Sequence, residues 1–124
     1  MGNPDAPHSY TYLPDYARAL VDVALDSGSW GKVWISPSLA PTTARTVAGL
    51  FAAEAGKSVK VGALPRLMVK LLGAVNPMIK EVVEMLYQFE REFTVDASAF
   101  ESRFGWKATD IGSAVQETWR SHLG

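Results

Sequence analysis

The chain has 124 residues, about the length of one domain. Hydrophobic residues make up 48% and charged residues 20%, which disfavours disorder, and a formal net charge of −1 argues against a strongly basic nucleic-acid surface. There is no cysteine, which excludes disulfides, thiolate metal sites and cysteine nucleophiles, and no apolar run approaches the ~20 residues of a membrane-spanning helix.

Met1 to Pro7 holds two prolines, a glycine and an Asn-Pro step, and reads as an extended lead-in. It lacks the basic-then-apolar pattern of a signal peptide, so a cytoplasmic protein is the default. His8-Ser9-Tyr10-Thr11-Tyr12-Leu13 alternates and is rich in β-formers, which predicts a short strand. Pro14-Asp15 then opens a helix with Asp15 as N-cap. Tyr16, Leu20, Val23 and Ala24 give that helix an apolar stripe, and Ser27-Gly28 ends it. Lys32 to Ile35 is a second candidate strand, followed by a loop bounded by Pro37 and Pro41. Thr42 or Thr43 caps the next helix, which keeps its period through Val47, Leu50 and Phe51 and stops at Gly56. Val59 to Ala63 is a third candidate strand.

Pro65 fits the first turn of a third helix, running through Leu67, Leu71 and Leu72 to Gly73. Asn76-Pro77 interrupts it and starts a fourth, with Met78, Ile79, Val82, Val83, Met85, Leu86 and Phe89 at apolar positions. Phe93 to Val95 is a short strand. Asp96 caps a helix of one to two turns through Phe100 and Phe104, ended by Gly105. Thr109 caps the last helix, where Ile111, Val115, Thr118 or Trp119, and His122 recur on one side. The expected fold is one mixed α/β (α+β) domain over residues 1–124, small and mostly helical with a few short strands.

Several chemistries find no signature. There is no G-x-G-x-x-G; Gly28 and Gly31 begin a G-x-x-G-x-x-G spacing, but Trp34 stands at its third position. There is no phosphate-cradling G-x-x-x-x-G-K-[ST] and no G-x-S-x-G elbow. His8 and His122, the only histidines, lack ligand-spaced partners, so no metal site is expected. No tyrosine has a lysine four residues on. Tyr87 with Arg91 is the nearest pair, on a helix that reads as core-packed.

Three segments carry a family likeness. His8 through Leu20 (HSYTYLPDYARAL) resembles the Arg-x-Phe-x-Tyr-Val-x-Asp-Val-Ala-x-Ala segment of extended and atypical short-chain dehydrogenase/reductases, which include the NAD-dependent epimerase/dehydratases. Gly31-Lys32-Val33-Trp34-Ile35, with the threonine-led helix ending at Ala55-Gly56, looks like that family's next strand and helix. Asp96 through Trp106 (DASAFESRFGW) resembles its Asp-x-Ser-x-x-x-x-x-(Leu/Phe)-Gly-Trp signature. The likeness covers nearly the whole chain, but only the carboxy-terminal part of the family. It implies the substrate-binding part of a Rossmann-type parent that uses NAD or NADP. The glycine fingerprint and the Tyr-x-x-x-Lys pair belong to the amino-terminal half and are not in this sequence. A piece of a longer protein or a truncated reading frame would explain that. No catalytic residue and no cofactor are therefore assigned to this chain.

The resemblance also frames the candidate substrate contacts. His8 stands where many members have an arginine that looks toward the substrate phosphate, and imidazole is a poorer anion clamp than guanidinium; a solvated strand residue is its other reading. Tyr10 and Tyr12 share one face of the expected strand and either line a pocket or support a sheet. Glu81, Met85 and Gln88 share one face of the expected fourth helix, as an adaptable pocket lining or as a partly solvated surface. Trp30, Trp34, Trp106 and Trp119 read as core or interface anchors. Two functions follow: the substrate-binding part of such an oxidoreductase or epimerase, inert alone, or an independent binding module acting through an exposed apolar face. A small-molecule substrate and a homodimer through the first strand and helix are the expected partners, with neither nucleic acid nor membrane.

Overall fold

Apolar residues at helical spacing, punctuated by proline, glycine and capping side chains, become seven α-helices among the described residues. In chain order they are α1 (Leu13–Leu25), α2 (Ala44–Glu54), α3 (Arg66–Val75), α4 (Pro77–Met85), α5 (Tyr87–Glu90), α6 (Ser98–Phe104) and α7 (Ile111–Leu123), with one 3₁₀ turn at Ser27–Ser29. The computed structural model describes residues 2–63 and 65–123. No helix among them is long and apolar enough to cross a membrane.

The expectation of a small, mostly helical fold holds, but the strands do not form. His8–Leu13, Lys32–Ile35, Val59–Ala63 and Phe93–Val95 contain no ladder; extended pairing among the described residues is two isolated bridges, His8 with Thr42 antiparallel and His8 with Phe93 parallel. His8 and Thr42 exchange both main-chain hydrogen bonds, at 2.8 and 3.0 Å, but no ladder grows from the pair.

The chain divides into two compact units, Met1–His8 with Thr42–Phe93, and Ser9–Pro41 with Thr94–Gly124. The first holds α2 to α5. Thr43 caps α2 as expected, its hydroxyl accepting from Thr46 N at 3.0 Å, and Gly56 follows the helix at φ 62°. Asn76 joins α3 to α4: its N–H donates to Leu72 O at 3.1 Å, and its own carbonyl accepts from Lys80 N at 3.1 Å. α3 thus runs two residues past Gly73, the expected end. Gly73 faces α4 so closely that a Cβ there would lie 3.2 Å from Lys80 Cα. The fourth helix is not continuous to Phe89. It ends at Met85, turns at the fully buried Leu86, and α5 follows. Val69 and Leu86 are the deepest apolar side chains of this unit, with Ala6 also buried.

The second unit holds α1, the 3₁₀ turn, α6 and α7. Its core gathers Ala19, Leu39, Ala97, Phe100, Ala114 and Val115. Asp15 is not the N-cap of α1. The helix begins at Leu13, Tyr12 takes the cap position without a side-chain bond, and Asp15 lies inside the first turn. Its carboxylate is buried and accepts from Thr109 N at 2.7 Å and Thr109 Oγ1 at 2.9 Å. Thr109 is spent on that contact, so Asp110 rather than Thr109 caps α7, accepting from Ser113 N at 3.0 Å. Asp96 does serve the start of α6, accepting from Ser98 N at 2.8 Å, and Gly105 ends that helix at φ 73°.

Candidate functional site

The expected substrate contacts take varied places. In the first unit, His8 directs Nδ1 at Ala6 O (2.9 Å) and Nε2 at Gln88 O (2.8 Å). Both ring nitrogens are thereby occupied by main-chain carbonyls, and His8 meets Gln88 through the backbone of Gln88. The Gln88 amide donates to the Tyr87 hydroxyl at 3.3 Å. Glu81 and Met85 are exposed on α4, and Gln88 is half-buried on α5, past the turn at Leu86. In the second unit, Tyr10 and Tyr12 are half-buried and lie in no strand. The Tyr10 carbonyl accepts from Leu39 N at 2.7 Å. The Tyr12 hydroxyl donates to Glu117 Oε2 at 2.6 Å, and that bond to a carboxylate raises the phenol pKa above its ordinary value.

The second unit also carries a cleft of about 270 Å³ that sequence reasoning did not assemble. α1 supplies one wall with Tyr16, Ala19, Leu20 and Val23, Trp34 and Ser36 come from the segment after the 3₁₀ turn, Phe100 comes from α6, and Lys32 completes the lining. Phe100 is fully buried; Tyr16 and Leu20 are exposed. The cleft is therefore apolar and aromatic, with one cation, Lys32, and two hydroxyls, those of Tyr16 and Ser36. That is the usual composition of a small-molecule site, in a volume just under the usual range of roughly 300–1,000 Å³.

An aromatic cluster holds its wall in place. Phe100 meets Phe104 at 4.5 Å between ring centroids and Trp106 edge-on at 5.2 Å, while Trp34 stands edge-on to Phe104 at 5.7 Å. Such edge-to-face pairs add to the burial they accompany. The Trp34 indole N–H donates to Ser29 O at 3.0 Å, and the Lys32 ammonium donates to Gly28 O at 2.8 Å. Both side chains thus take their direction from the 3₁₀ turn. That turn is fixed in its own right by Asp26, which accepts from Gly28 N at 3.2 Å, from the buried Ser29 hydroxyl, and from Arg103 Nε and Nη2 at 2.8 Å each. The Arg103 guanidinium first, then Ser29, holds the Asp26 carboxyl far below the usual carboxylate range.

No hydrogen bond joins the Tyr16, Lys32 and Ser36 side chains of the lining, and no group of three or more metal-ligating side chains occurs among the described residues. Tyr16, Leu20 and Val23 were legible as an apolar stripe, and Trp34 as an anchor. Lys32, Ser36 and Phe100 carried no site signal, because their meeting depends on the 3₁₀ turn and the aromatic cluster. No protein-family model, curated protein or solved structure matches the chain.

Proposed function

We propose that the chain is a binding part rather than a complete catalyst: the substrate-side, carboxy-terminal portion of a Rossmann-type oxidoreductase or epimerase of the extended short-chain dehydrogenase/reductase kind. The observation that carries the binding role is the cleft of the second unit, aromatic and apolar, with no hydrogen bond among its Tyr16, Lys32 and Ser36 side chains. Support for the kinship comes from how the resembling segments fit together. Trp106, the last residue of the third segment, donates its indole N–H to Asp22 Oδ2 at 2.7 Å, on the helix that the first segment opens. Asp15 of the first segment is held by Thr109, three residues beyond the third. On this reading NAD or NADP belongs to a nucleotide-binding half, and no step of the chemistry is carried by this chain alone.

The second reading, an independent module acting through an apolar face, has its own observation. Leu13, Val21 and Leu25 leave α1 with an exposed apolar stripe, 74%, 55% and 82% accessible. Calorimetric titration of the full chain separates the proposal from its failure. Small aromatic probes should give saturable heat while NAD and NADP give none. Micromolar dinucleotide binding contradicts the proposed division of labour, and an absence of probe binding removes the cleft from the account.

A further inference from the structure

The polar partners within the second unit point to the class of molecule the cleft takes. Each of this unit's seven carboxylate side chains has a partner of its own: Asp15 on Thr109, Asp22 on Trp106, Asp26 on Arg103 and Ser29, Asp96 on Ser98, Glu101 on Lys107, Asp110 on Ser113 and Glu117 on Tyr12. Among the cations, Arg103 and Lys107 are paired, and Arg18 lies over the Trp106 ring, 4.3 Å from its centroid, with Asp22 Oδ2 at 3.9 Å. Lys32 and Arg120 make no ion pair among the described residues; of the two, Lys32 lines the cleft, where it donates one of its three ammonium protons to Gly28 O. The Ser36 hydroxyl, in the same lining, makes no hydrogen bond to the described residues.

We propose that the cleft binds a small aryl or aryl-alkyl carboxylate, its ring against Tyr16, Leu20, Trp34 and Phe100 and its anionic end on Lys32 and Ser36. This deepens the binding role assigned to the cleft and rests on it. The ammonium has protons to spare, and no carboxylate stands in the cleft lining beside it. A charge-assisted bond is stronger than a neutral one. At an exposed lysine, solvent screening keeps the gain modest, so the effect is a preference rather than an absolute requirement.

Titration of the full chain with 4-phenylbutanoate and with 4-phenylbutan-1-ol, which differ in the anionic end alone, tests this. The acid should bind about fivefold to tenfold more tightly than the alcohol, and the preference should shrink in concentrated salt. Lys32→Met keeps the apolar stem and should bring the two affinities to within about twofold, whereas Lys32→Arg should keep the preference. Equal affinities in the unaltered chain, or a preference that survives Lys32→Met, overturn the charge assignment while leaving an apolar binding cleft. Saturable heat from neither probe overturns the cleft reading and this inference together.

Discussion

At the scale of single residues, Asp15 shows how a polar group can do a job other than the one its position suggests. Proline followed by aspartate ahead of an apolar stripe is a sound helix-start signal. Yet the carboxylate turns inward and takes both the N–H and the hydroxyl of a residue 94 positions away. Removing it would leave two donors of Thr109 short of a partner in a part-buried place. Asp15→Ala should therefore destabilise the second unit by about 1–3 kcal/mol. A double-mutant cycle with Thr109→Val in chemical denaturation should show strong coupling, where a simple N-cap would show none. Asp26 supplies the pH dependence. Its folded pKa is depressed by Arg103, so the stability it contributes is complete above the unfolded value of about 3.9 and is lost as pH falls below that toward the folded value. The gap in thermal midpoint between the unaltered chain and Asp26→Asn should be widest near neutral pH and should close as the solution is acidified below about pH 4.

Among the elements, the α3–α4 crossing makes the sharpest prediction. Gly73 is buried against the α4 backbone, with Lys80 Cα and N at 3.2 and 3.3 Å from where a Cβ would sit. Gly73→Leu must push the two helices apart and should cost about 1–3 kcal/mol, seen as a lower denaturation midpoint. Helix positions were legible in the sequence because caps and punctuation are local: Thr43, Asn76-Pro77 and Gly105 each act within a turn of where they stand. Strands were not legible, because alternation marks a half-buried segment but a ladder needs a neighbour with free donors.

For the whole molecule, the exposed stripe of α1 bears on self-association. In the proposed parent, a nucleotide-binding half would cover Leu13, Val21 and Leu25; with the chain alone in water, a second copy is the available cover, and a two-fold arrangement closes on itself. Light scattering at micromolar concentration should give about twice the 13.5 kDa chain mass, and Leu25→Glu should return it toward the monomer. A monomer at that concentration removes the dimer while leaving the cleft untouched, since Leu25 is not in its lining. The most direct test of the binding role is a heteronuclear NMR titration of the full chain with 4-phenylbutanoate, following the Trp34 indole N–H and the amides of Lys32 and Ser36. These signals should move together and saturate, while those of α3 and α4 stay fixed; shifts that never saturate, or that centre on α3 and α4, would contradict it.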